Sequence, residues 1–170
     1  MSDDQVQSSN IIVAKNFIMN IWGNRSLDKL ELYIDPNYKA YQSIGLYTQA
    51  ENLDFSPGLD KLKERLKIYF SPTDKYNVNI IDIMANKDSV MAFCEFNFIH
   101  NQKFKGINPT NIEINIHVFF WMKFNSGKIV NSIHLQDYYK IVRDIGLTKP
   151  ERVDYLEYIE SVLDIGSGKQ

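Results

Sequence analysis

From Ile112 to Phe124 the chain alternates without a break, and this run limits the fold more than any other. Ile112, Ile114, Ile116, Val118, Phe120, Met122 and Phe124 fall on one face of an extended chain. Glu113, Asn115, His117, Phe119, Trp121 and Lys123 fall on the other. Period two in β-branched and aromatic residues specifies a strand. Asn125-Ser126-Gly127 then gives a tight-turn signal, and KIVNSIHLQDYY runs back as the second arm. A hairpin with one wholly apolar face must form the wall of a core or cavity. It holds two of the three histidines and one of the two tryptophans.

Helical spacing precedes it. Ile11 to Trp22 repeats apolar residues at the period of a helix, after a polar stretch, residues 1–10, that reads as a disordered N-terminus. Ser26 caps a short second helix, with Leu27, Leu30, Leu32 and Tyr33 expected inward. Tyr38 to Ile44 reads as a short strand. Gly58 to Phe70 reads as a third helix, with Leu59, Leu62, Leu66, Tyr69 and Phe70 on one side. The period then switches to two, with strands expected over 76–84 and 90–100 and a loop over 101–111. A short helix is expected over 138–145 and a further amphipathic one over 150–165. Helices first and long strands afterwards specify an α+β domain, with helices packed on one face of a curved antiparallel sheet. The organisation expected is a domain over 11–147 and a C-terminal helical extension over 148–170.

Several function classes lose support here. A net charge of -2 offers no basic surface for nucleic acid. No apolar run reaches the roughly 20 residues that span a bilayer, so no membrane partner is expected. Cys94 is the single cysteine, which fits a reducing, cytoplasmic setting. No βαβ unit or phosphate-cradling glycine motif is present. The three histidines share no HxH or HxxxH spacing, so no metal site is expected.

Five pieces of sequence carry a resemblance. They are Tyr33-Ile34-Asp35-Pro36-Asn37-Tyr38; Pro57-Gly58-Leu59; His100 and Phe104 with Gly106-Ile107-Asn108-Pro109-Thr110; Met122-Lys123-Phe124 through Gly127-Lys128-Ile129; and Asp137 with the helix to Ile145-Gly146. In this order and spacing the chain resembles the SnoaL-like polyketide cyclase (ester cyclase) family, within the cone-shaped fold of nuclear transport factor 2. The resemblance implies an enzyme without cofactor or metal that closes a ring by an intramolecular aldol step in a deep apolar cavity. It implies a carboxylate acid/base on the last strand, with a glutamine and a histidine on the strand before. Aligned at the Gly-Lys-Ile turn, this chain has His134 in place of the carboxylate and Val118 and Phe120 in place of the other two. The departure leaves two readings: an acid/base enzyme of cyclase or isomerase type on a small apolar carbonyl compound, or a binding protein for such a ligand.

The candidate residues follow from these faces. His134 is the candidate base, since free imidazole titrates near neutrality, at about 6.5. Glu95 would be its carboxylate partner if strand register turns it to the cavity. Tyr38, Gln42, Val118, Phe120, Gln136 and Tyr138 are the expected ligand-lining residues. Asp137 is expected to cap the helix after it, and His100 to order its loop. Phe119, Trp121, Ile133 and Leu135, on the opposite face with His117, are expected to pair with a second copy in a homodimer.

Overall fold

The computed structural model describes residues 3–40, 57–104 and 106–146. Five strands form one curled sheet in the order β1-β5-β4-β3-β2. These are β1 (Ile34–Ala40), β2 (Asn77–Ala85), β3 (Ser89–Ile99), β4 (Glu113–Asn125) and β5 (Lys128–Gln136). Helices α1 (Asp3–Phe17) and α2 (Leu59–Phe70) precede the long strands, and α3 (Tyr138–Asp144) follows them. The architecture is the expected α+β one. The edge pair β1 and β5 runs parallel, however, so the sheet is mixed rather than wholly antiparallel.

The hairpin forms as its alternation requires. Ile114, Ile116, Val118, Phe120, Met122 and Phe124 are all buried, while Glu113, Asn115, His117 and Phe119 are exposed. Its turn places Ser126 at φ 49° and Gly127 at φ 76°. Two successive positive φ values make the turn twist with the strands, and glycine meets that demand without strain. One irregularity breaks the period. Lys123 faces Asn131, but Phe124 faces Ile129. Val130 is therefore the extra residue of a β-bulge. Ile129 takes the buried place beside Phe124 that simple alternation gives to Val130.

The helical half departs further from its sequence reading. α1 begins at Asp3, within the stretch expected to be a disordered lead-in, and its first two turns are mostly exposed polar residues. Acidic Asp3 and Asp4 sit in the first turn, where the helix dipole favours negative charge. The apolar stripe beginning at Ile11 marks where this helix meets the sheet, not where it starts. At Phe17 it widens into a π-helix, Ile18–Gly23, whose last bond runs from the Asn24 N–H to the Met19 carbonyl at 2.9 Å. A 3-10 helix, Leu27–Leu32, follows. Its tighter pitch turns Leu30 inward and leaves Leu32 62% exposed, against expectation. β1 then starts at Ile34, so Pro36 lies inside a strand. β1 is an edge strand, where a missing N–H is tolerated. The loop read over 45–57 lies almost wholly outside the described residues, as does the helix expected over 150–165.

Arg25 fastens the two helical layers. It adopts φ 58° and sends its guanidinium to the end of α2, donating to the Phe70 and Thr73 carbonyls at 2.8 and 2.7 Å. A cation at a helix C-terminus meets the negative end of the dipole. The same guanidinium lies 5.0 Å over the Phe70 ring. At the other end of the sheet, Lys128 donates to the Glu31 and Leu32 carbonyls, closing the 3-10 helix onto the hairpin turn. These fastenings hold the helices over one face of the sheet, and the core lies between.

Candidate functional site

Residues of β5 opposite buried residues of β4 must share their face. Ser132 faces Met122, His134 faces Phe120 and Gln136 faces Val118. Met122, Phe120 and Val118 are each no more than 2% exposed. Ser132, His134 and Gln136 therefore form a polar row on the helix-covered side, as expected for His134 and Gln136. Tyr38 reaches the same row from β1, its hydroxyl 2.6 Å from Ser132 Oγ. Burial raises its phenol pKa, an effect opposed by that hydrogen bond and by the Arg65 charge.

His134 stands in a box of rings. Its centroid lies 4.8 Å from Tyr69, 5.0 Å from Trp22 and 6.0 Å from Phe120. The Trp22 and Tyr69 contacts are edge-to-face, a favoured geometry for ring pairs. The residue as a whole is half-buried, but Nε2 is sealed and has no hydrogen-bond partner among the described residues. Trp22 Nε1 is likewise sealed and unpartnered. A buried polar group left unpaired costs about 1–3 kcal/mol. Two such atoms lie in one ring cluster, on neighbouring rings.

The electrostatics of the box change the reading of His134. Desolvation, aided by the nearby Arg65 charge, pushes its pKa down to about 4. Its imidazole is thus neutral at pH 7, with the proton affinity of a free carboxylate rather than of free histidine. Arg65 is itself 5% exposed. It lies one turn before Tyr69 on α2, so both side chains leave the same helix face. Buried charge against an aromatic box biases the box toward bound negative charge.

The structure does not bring Glu95 to this site. β3 pairs Cys94 with Val118 and Glu95 with His117, which turns Glu95 to the opposite face of the sheet. There it accepts a hydrogen bond from Asn115 Nδ2 at 3.0 Å. A one-residue parity decides the matter, and the loop over 101–111 sets that parity. Val118 and Phe120 line the buried face as expected. Tyr138 is the first residue of α3. Gln42 lies outside the described residues.

The remaining candidates have structural roles. Asp137 accepts from the Lys140 N–H at 2.9 Å and caps α3. His100 is fully buried, with Nδ1 3.0 Å from Thr110 Oγ1 and accepting from the Thr110 N–H at 3.3 Å. Its backbone bonds to Ile112 and Asn111 close the loop. Burial lowers its pKa, against a raising contribution from the Gln102 backbone. His117 stacks on Phe93, centroids 5.1 Å apart, on the outer face. Burial pushes the Cys94 thiol up to about 12, which makes it an inert core group. Among the described residues no group of three His, Cys, Asp or Glu side chains is placed to hold a metal. Two open clefts lie elsewhere. One, of about 460 Å³, lies between α1 and the hairpin turn. The other, of about 200 Å³, lies beside Thr73 and Glu113. Neither includes a residue of the ring box.

Trp22, Arg65 and Tyr69 were not singled out from sequence. Arg65 had a signal, a lone charge between Leu62, Leu66 and Tyr69 on the apolar side of its helix. Trp22 had none beyond its helical spacing, because the π-helix that aims it is invisible to that spacing.

A family model described as SnoaL-like polyketide cyclase matches residues 12–145. No curated protein sequence matches the chain. Solved structures do. One described as a SnoaL-like polyketide cyclase from Jannaschia sp. CCS1 aligns with a TM-score of 0.71 at 11% identity, covering 85% of this chain and 96% of that one. One described as a polyketide cyclase from Acidithiobacillus ferrooxidans aligns with a TM-score of 0.71 at 16% identity, covering 88% and 100%. An LEH-like epoxide hydrolase of M. tuberculosis aligns with a TM-score of 0.58 at 14% identity, covering 82% and 90%. At these identities the structural likeness is one of fold.

Proposed function

Because the chain belongs to the SnoaL-like polyketide cyclase family, we propose that it is a cofactor-free acid/base enzyme, of cyclase or isomerase type, acting on a small apolar carbonyl compound beside His134. The observation that carries this reading is the sealed, unpartnered Nε2 of His134 inside a box of rings. A neutral imidazole with the proton affinity of a carboxylate substitutes in basicity for the acid/base carboxylate that the family resemblance implies at this position. In the reaction, His134 takes a proton from the carbon next to the carbonyl. The C–H electron pair becomes the enolate π bond, and the negative charge moves to oxygen. The buried positive charge of Arg65 favours that anion. The enolate carbon then attacks a second carbonyl of the same molecule, whose C=O π pair becomes an alkoxide that takes the proton back from His134; in the isomerase case that proton returns to another carbon instead.

The second reading is a binding protein, favoured by one observation. No hydrogen bond among the described residues orients His134 Nε2, whereas a general base is usually held by a third group. Deuterium exchange separates the two without knowledge of the natural substrate. The enzyme reading expects wild-type protein to exchange the α-protons of 1-indanone in D₂O and His134→Ala to lose that exchange. Binding of 1-indanone with no exchange above buffer would favour the binding protein.

The outer sheet face completes the reading. Met84, Met91, Phe93, Phe119 and Leu135 are exposed there, with Trp121 and Ile133 among them. An apolar patch of this kind supports association with a second copy as a homodimer. Among the described residues no helix is long and apolar enough to cross a membrane. The single, buried, free cysteine supports a cytoplasmic setting. The net charge of -2 supports a reading in which nucleic acid takes no part.

A further inference from the structure

We propose that the indole N–H of Trp22 is the donor that fixes the ligand's carbonyl oxygen beside His134, which makes Trp22 an oxyanion-stabilising residue of the site. The inference rests on the pocket reading above and adds a residue and a contact to it.

Three observations converge on Trp22. The residue is 3% exposed, and the only polar atom of its side chain, Nε1, is sealed and without a partner among the described residues. Indole can only donate a hydrogen bond, so whatever satisfies it must be an acceptor. A phenylalanine would fill the box with no unpaired donor, so packing alone does not explain an indole here. Buried tryptophan N–H groups usually find a partner. Second, Trp22 rides on the π-helix Ile18–Gly23. Such widened turns are uncommon and gather at functional sites. Third, its ring meets His134, Phe120, Phe96 and Phe70 at 5.0 to 5.8 Å, with interplanar angles of 64° to 87°. The unpartnered N–H and the unpartnered imidazole nitrogen thus belong to adjacent rings.

The chemistry of the acceptor follows. The box is aromatic, so the ligand that suits it is a flat apolar body. The Arg65 charge disfavours a cationic ligand and favours a partly negative oxygen. A ketone or ester carbonyl meets both demands. When His134 takes the α-proton, the C–H bond breaks, an N–H bond forms on the imidazole, and the oxygen becomes an enolate. The Trp22 hydrogen bond then becomes charge-assisted and strengthens, so its contribution grows toward the transition state.

The test compares 1-indanone with indane, the same skeleton without the oxygen, on protein carrying ¹⁵N-labelled tryptophan. The two indole signals belong to Trp22 and Trp121. With 1-indanone the Trp22 Nε1–H signal moves downfield, and with indane it does not. Trp22→Phe weakens 1-indanone binding about tenfold, the equivalent of about 1.4 kcal/mol, and leaves indane binding unchanged. If both compounds bind and the Trp22 signal responds alike to each, Trp22 only packs; the inference is wrong and the pocket reading stands. If neither compound binds, both are wrong. Should Trp22→Phe fail to fold, the wild-type spectra decide alone.

Discussion

His100 and His134 are two buried imidazoles with opposite situations. Burial lowers the pKa of each, and each has a sealed Nε2 without a partner. His100 spends its other nitrogen on Thr110 and its backbone on Asn111 and Ile112, across the loop. His134 has no such ties; it touches rings from α2, β4 and the π-helix. The first imidazole is wired into the chain around it, and the second is surrounded by rings. Burial and a shifted pKa are common to both, so the two histidines are told apart only by their ties.

The largest expected effect falls on activity. His134→Ala lowers α-proton exchange of 1-indanone by at least ~100-fold, the usual contribution of a positioned base. His100→Ala acts on stability. It leaves Thr110 unpaired and a cavity behind the loop, at about 2–3 kcal/mol. A thermal melt then shifts down by about 4–10 °C, as expected for a chain of this size. If the two substitutions exchanged these outcomes, the contrast between the residues would be reversed.

A third prediction uses pH. The folded pKa of His134 is about 4, below the unfolded value of 6.5. As pH falls from 6.5 toward 4 the unfolded chain takes up the proton first, so the folded state loses stability across that window. The loss across the whole window is on the order of 2 kcal/mol once the partial exposure of the residue is allowed for. Urea unfolding at pH 5 and pH 7 should show about half of it, ~1 kcal/mol, and His134→Phe should remove most of that. His100, shifted in the same direction, keeps a remainder. An unchanged slope in His134→Phe would mean that the imidazole is not desolvated in the folded protein. The smallest effect is expected at Glu95. Glu95→Gln should change exchange by less than about twofold and stability by less than ~0.5 kcal/mol, as for other surface changes. A large loss of exchange would place Glu95 at the site after all.

Much of the fold was legible because it rests on local periodicity. The faces of β4 follow from strict alternation, but His134 reaches the buried side only because the bulge at Val130 shifts its register to Phe120; the turn pairing alone would set Ile133 there. Legibility fails where geometry depends on a distant partner. The bulge at Val130 sits where β5 must serve both β4 and the parallel edge strand β1. Glu95 depends on the parity of a loop, and Leu32 on a helix of tighter pitch than assumed. Trp22, Arg65 and Tyr69 enter the site through the docking of helices on the sheet, which no single-segment pattern contains.

The account stands on His134 being the imidazole that meets the ligand. Histidine ring signals, followed in ¹⁵N spectra while 1-indanone is added, test this directly. The expected result is movement of the His134 ring nitrogens with the His100 and His117 signals held in place. Equal, small movement of all three, or movement at His117 alone, would contradict it and put the ligand somewhere other than the ring box.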